Sequence, residues 1–260
     1  TVEDLLRGLI VQSGNDAAIA LAEGISGSEE AFAREMNQYA KSLGMDSTNF
    51  TNSTGWPHPE LTTTANDLII LTKSLIDTFP ELYKLFLEKQ FSYNNINQSN
   101  RNPLLVGRYF VNGADGLKTG HTNESGYGLI GSVKRNQRRI TLVINGLNGK
   151  KQRAIESKRL LETAYRETFL LTLFQSKKTL ASANVWLGKE DKVDLIAEKT
   201  IKTLITRPKL RRVKIKLMWD DPIQSPIKQN QVVGKILITI PGEENIETNL
   251  ITSKHINELG

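Results

Sequence analysis

An α/β domain followed by a small all-β domain is the fold class that this 260-residue sequence predicts. Three observations predict it. Up to about residue 90, apolar residues recur at helical spacing. From about 117 to 147 they gather into strand-like runs joined by tight connections, and another helical pattern follows. Beyond about residue 169, short apolar runs are split by Gly, Pro, Asp and Asn, the punctuation of a small β unit.

The elements follow in chain order. Thr1 and Asp4 have the spacing of a helix start, a weak form of the capping box. Leu5, Leu6, Leu9 and Ile10 form one apolar face, and Ser13-Gly14 interrupts it. A second helix is predicted from Ala17 through Ala22, with Gly24 as its end. Ser28 is the next N-cap, and Glu29 and Glu30 sit where the positive helix end favours acids. Phe32, Met36, Tyr39 and Leu43 follow on one face, with Met36 and Tyr39 expected in the core, and Gly44 stops the helix. A further helix runs from about Thr64 through Leu68, Leu71 and Leu75, and Pro80 opens a short one.

Asp115-Gly116 signals a turn, and Leu117 to Thr122 fits a strand leaving it. Gly126–Val133 and Arg139–Leu147 read as two strands that pair antiparallel through the tight connection 134–138. A helix from about Gln152 to Tyr165 should set Leu160, Leu161 and Ala164 against the sheet. A domain boundary is placed near 168, giving domains 1–167 and 168–260. In the second, 185–187, 213–219, 232–240 and 246–251 are candidate strands. The run from Arg207 to Lys216 alternates in its second half, with Val213, Ile215 and Leu217 facing inward and Arg212, Lys214 and Lys216 solvated.

Composition excludes several functions. With no cysteine there are no disulfides, thiolate metal sites or cysteine nucleophiles. His58, His121 and His255 lie far apart, so no metal site is expected and no cofactor is implied. The formal charge of +6 permits an anionic partner. No zinc-finger spacing or aromatic RNA-binding signature accompanies it, so no nucleic-acid partner is expected. No apolar stretch approaches the ~20 residues of a membrane span. Opening on a helix cap without methionine, the chain reads as beginning at a cut.

Two blocks carry the chemistry: Ser13-Gly14-Asn15 and Lys118-Thr119-Gly120. A serine acyl-transfer site needs a nucleophile, a proton relay and donors for the developing oxyanion. In penicillin-binding proteins and class A β-lactamases these come as S-x-x-K, S-D-N and K-T-G. The hydroxyl of Ser13, at a helix break, can both donate and accept a proton. The Asn15 amide can orient a substrate carbonyl or a lysine. Lys118, on a strand, can hold an anionic group and sustain proton transfer. Thr119 adds a hydroxyl, and Gly120 lets a peptide approach the strand edge as an added strand would.

The surroundings sharpen this. Leu-x-x-Gly-Leu-x-x-x-Ser-Gly-Asn-Asp-Ala-Ala at 6–18, Asn-Arg-Asn-x-Leu-Leu at 100–105 and Asp-Gly-x-Lys-Thr-Gly-His-Thr at 115–122 strongly resemble the low-molecular-mass penicillin-binding proteins. These are the D-alanyl-D-alanine carboxypeptidases of the penicillin-binding-protein-5 type. Gln229-Asn230-Gln231-Val232-Val233-Gly234 resembles that family's C-terminal β domain. The resemblance implies a penicillin-recognising, transpeptidase/β-lactamase-like α/β (α+β) domain, incomplete at its N-terminus, before the sandwich-like one. It implies removal of the terminal D-alanine from peptidoglycan pentapeptides through an acyl-serine that β-lactams trap, in the periplasm or at the outer face of the inner membrane. Ser13, Asn15 and Lys118 would be catalytic, and Thr119, Gly120, His121 and Arg153 would bind substrate. His121 follows the third motif as in this subgroup, although a strand histidine with no proton role fits as well. Arg153 looks like the family's basic residue near the substrate carboxylate, which a guanidinium grips bidentately; the plainer alternative is a solvated arginine at a helix start.

One motif is missing. The only serine followed three places on by lysine is Ser225, with Lys228. It lies after the third motif and carries Pro226 where a helix is needed. The resemblance places the nucleophile before residue 1, so none is named. The chain is expected to form no acyl-enzyme with a penicillin, and to be a marginal fragment exposing apolar helix surface. Contact with the membrane would come only through a C-terminal anchor outside this sequence. Glu60, after Pro59, resembles the deacylating glutamate loop of a β-lactamase but reads better as solvated. Rivals are a D,D-endopeptidase or β-lactamase on this scaffold, and a cell-wall binder without catalysis.

Overall fold

The computed structural model describes residues 1–260 as two compact units, Thr1–Ala164 and Tyr165–Gly260. The division falls inside a helix, a few residues ahead of position 168.

In the first unit, α1 (Val2–Arg7) starts from the full capping box: Asp4 N–H donates to the Thr1 hydroxyl at 3.2 Å. It runs into a π turn, Gly8–Gln12, that ends on Ser13 in the left-handed conformation. After Gly14, α2 (Asn15–Ser26) buries Ala17, Ala18, Leu21 and Ala22. Gly24 does not end it. The stop is Gly27, which supplies the left-handed turn (φ 79°) that Gly24, in helical backbone, does not need. Ser28 caps α3 (Glu29–Ser42) through Ala31 N–H, as its sequence predicts. Tyr39, expected in the core, is 49% exposed: α3 buries only Ala33 and Ala40, a stripe too narrow to cover an aromatic ring. Thr64 caps α4 (Ala65–Thr78), and Pro80 opens α5 (Pro80–Tyr83), both at the predicted places. Val2, Ile25 and Leu82 of these helices are exposed, as is Phe79 between α4 and α5. Glu60 lies exposed in the loop before α4.

A hairpin absent from the sequence reading follows, β1 (Gln90–Tyr93) with β2 (Ile96–Ser99). Asn94 and Asn95 turn it, both at positive φ. Then come β3 (Ala114–Thr122), β4 (Gly126–Arg135) and β5 (Arg138–Leu147) in one antiparallel sheet of that order. Lys118 pairs with Ile130 and Gly120 with Gly128. The helix α6 (Lys150–Glu167) buries Arg153, Ala154, Ser157 and Leu161. A Cβ on Gly131 would meet a Leu104 methyl at 2.9 Å, so the loop's side chain closes directly onto the sheet backbone there.

The second unit pairs β6 (Thr168–Phe174) with β9 (Ile201–Thr206). Strands β7 (Thr179–Trp186), β8 (Lys192–Ala197), β10 (Lys214–Trp219), β11 (Ile223–Gln224), β12 (Val232–Thr239) and β13 (Ile246–Thr252) make a six-stranded sheet, ordered β10-β12-β13-β8-β7-β11. The one-turn helix α7 (Arg207–Leu210) precedes β10. Leu195, Ile236, Ile238 and Leu250 fill the core from the large sheet, and Ile201 and Ile205 from the small one, giving a sandwich-like unit. Because β10 is an edge strand, Ile215, expected to face inward, is 45% exposed, and only from Leu217 on is the strand partly covered. Ile236 has no exposed surface. Ile236→Ala is expected to cost about 2–5 kcal/mol in urea melts of the protein, through lost transfer energy and the cavity left behind.

Candidate active site

The two blocks singled out in the sequence meet. Lys118 Nζ donates to Ser13 Oγ at 2.6 Å, across 105 residues of chain, and to the carbonyl of its neighbour Thr119 at 3.2 Å. Each side has its own support. The π turn that delivers Ser13 is tied to β2, where Gln12 Nε2 donates to the Ser99 carbonyl at 2.7 Å. It is also braced through α1, whose Arg7 pairs with Glu88 at 2.9 Å. Asn100 and Asn102 are buried and hold consecutive turns: Asn102 N–H donates to Asn100 Oδ1, and Leu104 N–H to Asn102 Oδ1. Between them Arg101 is exposed, and its N–H donates to the Val11 carbonyl at 3.3 Å. The Asn-Arg-Asn motif is thus a clasp that brings a cation to the site, a role its sequence did not reveal.

At the start of β3 a polar network fixes the strand. Arg139 on β5 pairs with Asp115 at 2.7 Å, and Tyr83 Oη donates to Asp115 at 3.1 Å. Arg139 also donates to the buried Ser132 hydroxyl. A Cβ on Gly116 would stand 2.7 Å from the Tyr83 hydroxyl, which explains glycine there. Burial pushes the Tyr83 phenol well above its usual range, chiefly through desolvation.

Lys118 is pushed down to about 8. Desolvation is the largest cause, followed by the positive charges of Arg101 and Arg153. The group is therefore poised between ammonium and amine near neutral pH, as proton transfer requires. The sign for stability follows. The folded state gives up this proton before the unfolded one does, so between about pH 8 and 10 stability should rise with pH, and below 8 the charge is a standing cost. Titration of the Lys118 amine by NMR in the intact protein should show a midpoint of about 8, well below that of exposed lysines; an ordinary lysine midpoint would contradict the buried geometry.

The other predicted residues fall around this pair. Asn15 is the first residue of α2, two places beyond Ser13. Thr119 and Gly120 continue β3, and a Cβ on Gly120 would meet nothing within 4 Å, so the space before that edge is open. His121 is exposed, its ring 3.9 Å from that of Tyr127. Arg153 is not the solvated helix-start arginine of the plainer reading: it is 7% exposed. Its guanidinium donates long bonds (3.4 Å) to the Gly120 and Gly128 carbonyls and lies 5.8 Å from the Tyr127 ring centre. Its Nε has no hydrogen-bond partner. Desolvation lowers its pKa. Ser225, of the stray Ser-x-x-Lys, is buried in the second unit and donates to the Leu187 carbonyl, so it is structurally occupied.

A serine hydroxyl on a lysine of lowered pKa, beside an open strand edge and joined in one chain to a sandwich-like β unit, defines the class of penicillin-recognising serine peptidases. The comparisons agree: residues 1–149 match the D-alanyl-D-alanine carboxypeptidase family, and residues 170–258 match the C-terminal domain of penicillin-binding protein 5. The chain belongs to the D-alanyl-D-alanine carboxypeptidase family. It is 36% identical to D-alanyl-D-alanine carboxypeptidase DacA of Haemophilus influenzae and 36% identical to DacC of Escherichia coli, covering 100% of this chain in each case. It spans 66% and 65% of the length of those two relatives. Among solved structures, penicillin-binding protein 5 from Haemophilus influenzae superposes with a TM-score of 0.76 at 35% identity, covering 99% of this chain and 75% of that one. Penicillin-binding protein D2 from Listeria monocytogenes, in its ampicillin-bound form, superposes with a TM-score of 0.58 at 31% identity, covering 64% and 68%. The expected family and fold class are thereby shown.

Proposed function

We propose that the protein acts as a serine-type D-Ala-D-Ala carboxypeptidase on peptidoglycan pentapeptides, at the periplasmic face of the cell envelope, and that β-lactams occupy the same groove. The observation that carries this reading is the Lys118–Ser13 contact beside an open strand edge. In this reading residues 1–167 form the peptidase domain and residues 168–260 an accessory β domain. Ser13 and Lys118 relay the proton between nucleophile and leaving amine, and Asn15 orients the scissile carbonyl. Thr119 and Gly120 receive the peptide as an added strand. Arg153, behind Gly120, supplies positive charge for the terminal carboxylate, and His121, stacked on Tyr127, walls the same end. The acyl-serine step needs a Ser-x-x-Lys pair, which these 260 residues carry only at the buried Ser225. Their proposed share of the reaction is therefore to hold substrate and move protons.

Calorimetric binding of a pentapeptide ending in D-Ala-D-Ala tests the proposal. The protein should bind it, prefer it to the L-Ala-L-Ala epimer, and lose affinity in Arg153→Ala. Equal affinity for both epimers, or none, would reject the assignment. One other reading is a cell-wall binder without catalysis; D-alanine release by the gene's natural product separates the two.

A further inference from the structure

Arg153 is a buried cation with few bonds, and one aromatic ring accounts for its place. It is 7% exposed, yet no carboxylate pairs with it. Nη1 donates twice, at 3.4 Å each, to the carbonyls of Gly120 and Gly128, and Nε donates to nothing. A guanidinium carries five N–H donors, and burying it is costly while they go unmet. Such under-use, at the end of an open strand edge, fits a group kept ready for an incoming acceptor. The remaining contact is with an aromatic ring. Arg153 Cζ lies over the Tyr127 ring, 5.8 Å from its centre, within reach of a cation–π attraction.

Tyr127 holds a second member of the same end. In the β3–β4 ladder it pairs with His121, one position beyond the Gly120–Gly128 pair whose carbonyls meet Arg153. The Tyr127 and His121 ring centres are 3.9 Å apart. One half-buried ring on β4 thus joins the cation and the imidazole that flank the end of the groove. Both contacts are made by the ring and not by the hydroxyl. We infer that Tyr127 is a positioning residue for the substrate's terminal carboxylate: its ring fixes the Arg153 guanidinium behind Gly120 and leaves N–H donors free for a bidentate grip. The inference deepens the carboxypeptidase reading and rests on it. Phenylalanine would keep the ring, whereas leucine would fill the space without attracting a cation.

The test compares two pentapeptides ending in D-Ala-D-Ala, one with a free carboxylate and one with a C-terminal amide. The gene's natural product is assayed for release of D-alanine from the first and of D-alaninamide from the second. It should favour the acid in kcat/KM by about tenfold or more, the value of a charge-assisted hydrogen bond. Tyr127→Leu should lower kcat/KM for the acid by about tenfold and leave that for the amide within about twofold, as loss of a desolvated cation–π contact predicts. Tyr127→Phe should retain the preference. Release from neither peptide would reject the carboxypeptidase reading, and the inference with it. Release that favours the acid, with equal losses on acid and amide in Tyr127→Leu, no loss in it, or an equal loss in Tyr127→Phe, would overturn the inference alone. A nuclear Overhauser contact between the Arg153 side chain and the Tyr127 ring is expected in the unsubstituted protein. Its absence would overturn the inference even where a variant fails to fold.

Discussion

The proposed release of D-alanine from a pentapeptide is expected to fall by about 10²–10⁴-fold when Lys118 is replaced by alanine in the gene's natural product, the range typical of a lost acid–base group. Three features set the size of the effect. Lys118 is the cation in direct contact with the Ser13 hydroxyl. Its pKa is lowered to about 8 by desolvation, then by Arg101 and Arg153, so it exchanges protons near neutrality where an exposed lysine would not. It also stands one residue from the strand edge proposed to hold the peptide, so its loss removes charge as well as the relay. Lys118→Arg should rescue poorly: a guanidinium keeps the charge but does not give up its proton. A steady-state assay separates the roles. A fall in kcat with KM little changed marks proton transfer; a rise in KM alone would mark simple anion binding and refute the relay.

Arg139→Ala is expected to destabilise the first unit by about 3–5 kcal/mol, a large share of the stability a domain possesses. Its side chain is 24% exposed and that of Asp115 14%, so removing the guanidinium strands a mostly buried carboxylate. Tyr83 donates to the same carboxylate and cannot neutralise it. Ser132, fully buried, loses a partner too. A thermal melt should show the first unit's unfolding fall by on the order of 10 °C. Asp115→Asn, which leaves no charge behind, should cost less. A single-variant loss below about 1 kcal/mol would show that the network is solvated and does not fix β3.

Local chemistry made the helix starts legible. Thr1, Ser28, Thr64 and Pro80 all open helices where side-chain capping or a fixed φ demands it. Helix ends were less so: Gly24 and Gly27 are equally plausible stops on paper, and only the backbone turn at Gly27 distinguishes them. The 90–99 hairpin escaped because its residues are almost all exposed, so no alternation of apolar and polar positions marks it. Its remaining signal was Asn94-Asn95, two residues tolerant of positive φ. At the site, the order and type of Ser13, Asn15 and Lys118 could be read, but not the burial that tunes Lys118. That depends on Arg153 lying inward beneath Gly120 and on Arg101 being presented by two buried asparagines, and both are products of packing across the chain.

The large sheet of the second unit ends on β10 at one side and on β11 at the other. An unsatisfied ladder invites recruitment of a neighbouring molecule's strand. Here one rim is only two residues long, and along the other Lys214 and Lys216 project into solvent on either side of the exposed Ile215. Two like molecules meeting rim to rim would oppose ammonium to ammonium across a gap of one strand spacing, a repulsion that disfavours pairing through the β backbone at this rim.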